Sequence, residues 1–141
     1  MKKLLYLFLA ITVACGGDDD NDNSNVSSLD GRWNLTSYEE NGINIDLNSC
    51  DLESFMLFNE TGTGTAYVYY TDYPDNPEIE PCGLDTTTDI SYSETSTNIF
   101  VMTFDYGDGD VEVATGEISN NLLILTGSYE GDSYETVFTK E

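Results

Sequence analysis

NIFVMTFDYGDGDVEVATGEISNNLLILTGSYEGDSYETVFT, residues 98–139, holds four short runs of β-branched, aromatic and aliphatic residues. They are separated by Gly107-Asp108-Gly109, Ser119-Asn120 and Glu130-Gly131, residues that tolerate the positive φ of tight hairpin turns. The runs follow a two-residue period, which places alternate side chains on opposite faces of a strand. Working back to Leu29, the same pattern recurs, with Glu60-Thr61-Gly62 as a further turn, and no stretch sustains a helical period. Eight strands are predicted, at Arg32–Glu39, Ser54–Asn59, Thr65–Thr71, Thr87–Glu94, Asn98–Asp105, Val111–Ile118, Asn121–Tyr129 and Ser133–Thr139. Short consecutive connections make neighbours antiparallel, so the fold class is all-β, an eight-stranded antiparallel up-and-down barrel with no C-terminal helix. Closure removes the edge strands that would otherwise invite aggregation.

Composition narrows the chemistry. The 141 residues include 27 Asp plus Glu against four Lys plus Arg and no His, a formal charge of -23. Without imidazole there is no Ser-His-Asp or Cys-His catalysis and no His-ligated zinc or haem. Without clustered basic residues there is no nucleic-acid partner, because phosphate binding needs them. Paired carboxylates remain the one general acid–base option, and among 27 of them no pair stands out. The expectation is therefore no catalytic residue, no metal, no cofactor and no enzymatic activity.

Upstream of the barrel, Lys2-Lys3 precedes an apolar run, Leu4–Ala10, and then Ile11-Thr12-Val13-Ala14-Cys15. That is the layout of a signal peptide, and its apolar run is too short to cross a bilayer, which takes roughly 20 residues. The Cys after a small residue resembles the lipobox of bacterial lipoproteins, which implies cleavage after residue 14, a lipidated Cys15 and a membrane partner reached through that lipid. Residues 1–14 are thus read as a lipoprotein signal peptide, 15–28 as the lipidated Cys and an acidic flexible tether, and 29–141 as the barrel domain. The 13 residues 16–28 hold a single apolar side chain, Val26, and cannot offset the entropy of ordering; as a coil they reach about 20 Å. Removal of residues 1–14 takes away Lys2 and Lys3 and no acid, leaving Arg32 and Lys140 against 27 carboxylates, a net charge of -25. Acidic residues soon after a lipidated Cys resemble the surface-export signals of Bacteroidetes lipoproteins. The resemblance implies an anchor in the bacterial outer membrane, at the cell surface.

With Cys15 assigned to lipid, Cys50 and Cys82 form an even pair in an oxidising compartment, and a disulfide between them is expected. They lie in the two long connections, residues 40–53 and 72–86, so the bridge pins both loops at one end of the barrel. Ile43 and Ile45 suggest that the first loop folds over a barrel mouth. Pro74, Pro77 and Pro81 keep the second extended and unpaired.

Gly31-Arg32-Trp33 at the start of the first strand resembles the Gly-x-Trp signature of lipocalins. Together with the lipobox, the strand count and Val137-Phe138-Thr139-Lys140, it makes residues 29–141 similar to the lipocalin-like domain of small Bacteroidetes lipoproteins. The resemblance implies a calyx for a small molecule. Lipocalins place a last-strand Arg over the Trp ring, and here Lys140 stands at the corresponding end.

Alternation assigns Trp33, Leu35, Phe55, Leu57, Phe100, Met102 and Phe104 to the inner face, where they either line a cavity or fill it. Lined, the barrel takes a small neutral hydrophobic ligand; filled, it is a structural or protein-interaction lipoprotein. Three weaker patterns complete the reading. Tyr67, Tyr69, Tyr70 and Tyr73 are either a sugar-stacking platform or cross-strand pairs. Asp105, Asp108, Asp110 and Glu112 are either calcium ligands or a hairpin with its flanks. Asp85-Thr86-Thr87 resembles an O-glycosylation acceptor of Bacteroidetes and is equally an ordinary loop.

Overall fold

The computed structural model describes residues 28–73, 75–76, 80–107 and 109–141. The expected signal peptide, Cys15 and nearly all of the tether lie outside them. The strands among the described residues are β1 (Gly31–Glu40), β2 (Ile43–Ile45), β3 (Phe55–Phe58), β4 (Thr63–Tyr70), β5 (Gly83–Ser96), β6 (Ile99–Gly107), β7 (Asp110–Ser119), β8 (Leu122–Tyr129) and β9 (Asp132–Lys140). All pairings are antiparallel, in the order β1-β3-β4-β5-β6-β7-β8-β9, and β9 returns to β1 from Trp33↔Lys140 to Glu40↔Tyr134. Eight strands thus close into the expected barrel.

The ninth strand, β2, is additional. Asn41 and Gly42 both take positive φ, 51° and 79°, making the Asn-Gly hairpin turn that joins β1 to β2. β3 occupies the same side of β1 only from Gly31 to Asn34, and β2 takes over at Tyr38–Glu40. Ile43 and Ile45 are consequently exposed on a ribbon beyond the barrel wall and do not cover the mouth. That cover comes from the next segment, where a 3-10 turn at Asp51–Glu53 is held by Asn48, whose Oδ1 accepts from the Cys50 and Asp51 amides. β5 also begins earlier than the sequence indicates, at Gly83, because Tyr69 and Tyr70 extend the ladder to Leu84 and Gly83 past a bulge.

Inside, the barrel is packed at one end and hollow at the other. At the packed end Leu29, Trp33, Phe58, Phe100, Met102, Ile118 and Leu123 are all buried. Leu29 stoppers this end, and its carbonyl accepts the Trp33 indole N–H at 2.7 Å. Small residues make room for large ones: a Cβ on Gly116 would stand 2.7 Å from Met102 Cε, and one on Gly64 would stand 2.6 Å from Phe58 Cδ1.

The register of β3 reverses one expectation. Phe55 and Leu57 face outward, Phe55 stacked on Tyr67 with ring centroids 4.5 Å apart and Leu57 largely exposed. Met56 and Phe58 face inward, paired with Ala66 and Gly64. Four consecutive apolar residues carry no parity of their own. The cross-strand partners decide it, because Met56 lies beside inward Trp33 and only Gly64 leaves space for the Phe58 ring.

Candidate ligand-binding site

The hollow end is the one bearing the two long loops. Cys50 and Cys82 are disulfide-bonded, their Cα atoms 5.4 Å apart, and so tie the segment after β2 to the segment before β5 beside the mouth. Below them lies a cavity of about 570 Å³. Its floor and walls include Leu35, Met56, Ala66, Phe104, Leu125 and Phe138, and its rim includes Tyr38, Tyr70, Tyr106, Tyr129 and Tyr134. Leu47 and Asp51 reach it from the disulfide-pinned loop. A volume of this size suits a small ligand.

Of the residues assigned to the interior from sequence, Leu35 and Phe104 line the cavity, and Phe55 borders it from the outer face of β3. Trp33, Phe100 and Met102 belong to the packed end, below the cavity. Leu57 lies outside the barrel altogether, along a groove over β3–β7 with Thr65, Asp89 and Val111. Both halves of the lined-or-filled alternative are therefore present, one at each end.

The interior place of one carboxylate escaped the sequence reading, which named Glu112 only as a candidate calcium ligand. Glu112 is buried, 8% exposed, and its two oxygens accept hydrogen bonds from different tyrosines. Tyr106 donates to Oε2 at 2.7 Å, and Tyr134 donates to Oε1. In Val111-Glu112-Val113 the valines look like the core face, yet they are about 60% and 59% exposed. The signal lay in parity with the far end of the strand: Glu112 shares its face with Ala114, Gly116 and Ile118, and Glu112 pairs with inward Phe104.

The network sits where the sheet is split. β7 and β8 pair only from Thr115↔Thr126 to Ser119↔Leu122, so Asp110–Ala114 pair with β6 alone and Gly127–Tyr129 with β9 alone. Across that gap Tyr134, on β9, reaches Glu112, on β7, while the Tyr106 and Tyr129 rings approach to 6.2 Å between centroids. Side chains thus bridge where the backbone ladder has stopped. Burial, followed by the hydrogen bond and the negative charge of Glu112, raises the Tyr106 and Tyr134 hydroxyls well above the ordinary tyrosine value. Tyr106 combines a half-exposed ring at the rim with a hydroxyl turned down onto the carboxylate. Tyr38 is raised too, by burial and then by Glu40, Glu112 and Asp132.

No cation reaches the cavity among the described residues. Arg32 points outward, 3.6 Å above the Phe55 ring centroid, and pairs with Glu141 at 3.2 Å. Lys140 is at the opposite end of the barrel, where its Nζ donates to the Ser28 carbonyl.

The lipocalin-like domain model matches residues 29–125. The chain belongs to the lipocalin-like domain family. No curated protein matches it. Among solved structures, As-p18, an extracellular fatty acid binding protein, is similar with a TM-score of 0.44 and 14% identity over 79% of this chain and 95% of that one. In this lipocalin-like domain the Gly31-Arg32-Trp33 signature sits at the packed end, with the indole fully buried. Lys140 Nζ lies 5.3 Å from its ring centroid, the place the resemblance gives to a basic residue of the last strand.

Of the weaker patterns, Asp85-Thr86-Thr87 lies within β5 and not in a loop, and Tyr70 of the tyrosine cluster borders the cavity. Tyr67 is a cross-strand stacking partner of Phe55, and Tyr69 lies tilted against the same ring. Asp105 accepts the Gly107 amide in the β6–β7 turn, Glu112 faces the interior and Asp108 lies outside the described residues. No group of three metal-ligating side chains forms among the described residues.

Proposed function

We propose that this lipocalin-like domain binds a small hydrophobic ligand in the cavity at its open end, and that it does so as an exported lipoprotein. The observation that carries the binding reading is a hollow of about 570 Å³ with an apolar floor and an aromatic rim, whose floor residues Met56, Phe104, Leu125 and Phe138 are the upper layer of the packed core. A neutral body is favoured over a free fatty acid: no cation greets an anion there, and burying a carboxylate beside Glu112 would add like-charge repulsion. Mass spectrometry of organic extracts from protein purified out of its native host tests this. A stoichiometric hydrophobic compound that carries no carboxylate is the expected result; a bound fatty carboxylate or an empty extract would count against it.

The lipoprotein reading rests on the Lys2-Lys3 to Cys15 segment and the acidic tether. On it, residues 1–14 are removed, an acylated Cys15 anchors the chain in the outer membrane of a Bacteroidetes-type bacterium, and residues 15–28 hold the 29–141 barrel clear of the surface. Intact mass of the native protein should show an acylated N-terminal Cys15, and Cys15→Ala should release it from the membrane fraction. An unmodified N-terminus at another residue would reject the anchor.

A further inference from the structure

We infer that the cavity selects ligands whose apolar body ends in a protonated amine, and that Glu112 is the group that receives it. The inference rests on the cavity being a ligand site and concerns what that site prefers.

Glu112 is a buried acid whose two oxygens both accept, so it faces the cavity as a carboxylate acceptor pair. Tyr106 and Tyr134 are neutral donors and occupy about two of its roughly four lone-pair directions. They orient the carboxylate without neutralising it. A buried charge without a counter-charge is costly, and a ligand that brings the counter-charge recovers interaction that an uncharged ligand cannot. The barrel itself offers none, since Arg32 is outside and Lys140 is at the far end.

The surroundings suit a cation further. Tyr38, Tyr106, Tyr129 and Tyr134 all border the same cavity, and tyrosine faces attract ammonium groups. The raised hydroxyls of Tyr38, Tyr106 and Tyr134 remain neutral at physiological pH, so these side chains act as ring faces and donors and add no competing charge. Below them, Leu35, Met56, Phe104 and Phe138 accept an alkyl or ring body. An amine at Glu112 with its tail on this floor satisfies every surface of the cavity at once. An alcohol satisfies the floor and donates a single hydrogen bond but brings no counter-charge, and a carboxylate meets Glu112 with like charge.

The test uses three chains of one length, decylamine, decanol and decanoate, competing with the neutral fluorophore N-phenyl-1-naphthylamine. The protein is the full chain carrying Cys15→Ala, at about 0.15 M salt to suppress long-range attraction. The amine should bind about ten-fold tighter than the alcohol, and the carboxylate weakest. Glu112→Gln should bring amine and alcohol within about two- to three-fold. Because that change removes one of 27 carboxylates, loss of the preference reports the local contact and not the overall field. Equal binding of amine and alcohol, or a preference that survives Glu112→Gln, overturns the inference while leaving the cavity a ligand site. Failure of all three chains and the fluorophore to bind rejects the ligand site itself.

Discussion

Gly127 lies directly opposite Tyr134 in the β8–β9 ladder, and a Cβ at Gly127 would stand 2.6 Å from Tyr134 Cζ. The Tyr134 ring crosses the inner face of β8 at this glycine on its way to Glu112. Gly127 is therefore required for space, and the hydroxyl–carboxylate bond across the β7–β8 split depends on it. Gly127→Ala is expected to push the ring aside and cost about 1–3 kcal/mol, the usual range for overpacking. Urea unfolding measures the loss. Paired with Glu112→Gln it should be markedly non-additive, since both changes break one contact; strict additivity would show that Tyr134 stays in place.

The same tyrosines set the alkaline limit of the fold. Burial and Glu112 raise Tyr106 and Tyr134 above the ordinary value of 10.0, and burial with nearby acids raises Tyr38. A group whose folded-state value is raised favours the folded state fully below its unfolded value, and that contribution fades as pH rises past it. Stability should thus show no tyrosine-linked change below about pH 9 and fall from about pH 10 upward. Phenolate absorbance followed with circular dichroism checks this. Tyr38, Tyr106 and Tyr134 should ionise last and together with loss of structure, and their smooth ionisation near pH 10 in a folded protein would contradict their burial.

Strand existence was legible from residues 98–139 because each turn carries its own chemistry and each run its own period. Parity was less so. Phe55-Met56-Leu57-Phe58 is apolar throughout, and Val111-Glu112-Val113 presents its apolar residues to solvent, so in both places the partner strands decide which side faces in. The Asn41-Gly42 hairpin was present in the sequence, but β2 is too short and too exposed to show a core pattern. Glu112 was hidden for a related reason: a single acid among 27 becomes a site only when Phe104 and Ile118 fix the face on which it lies.

That parity is measurable. Phe58 is buried against Tyr92, the ring centroids 5.5 Å apart, whereas Leu57 is 45% exposed. Phe58→Ala should cost about 3–5 kcal/mol in chemical denaturation, and Leu57→Ala under about 1 kcal/mol. The reverse order would place Leu57 inside and return β3 to the register expected from alternation alone.

The Cys50–Cys82 bridge couples stability to the mouth of the cavity. It closes a segment with a sequence separation of 32, for which loop entropy gives about 3–4 kcal/mol of stabilisation. It also fixes the turn at Asp51–Glu53, from which Asp51 reaches the cavity, and Leu47 enters from the same loop. Beyond the bridge, Thr71 is buried and its hydroxyl donates to the Glu80 carbonyl at 2.7 Å, which holds those two residues together. Cys50→Ser should lower the melting temperature and, separately, weaken ligand retention, because both loops gain freedom at the rim while the packed end around Trp33 is untouched. The two effects are separable by measuring binding well below the melting transition. Alkylation of the non-reduced Cys15→Ala chain should label neither remaining cysteine, and two labelled thiols would refute the bridge. If Cys50→Ser lost stability yet bound the decyl chains unchanged, the loops would be fastenings of the barrel and not walls of its site.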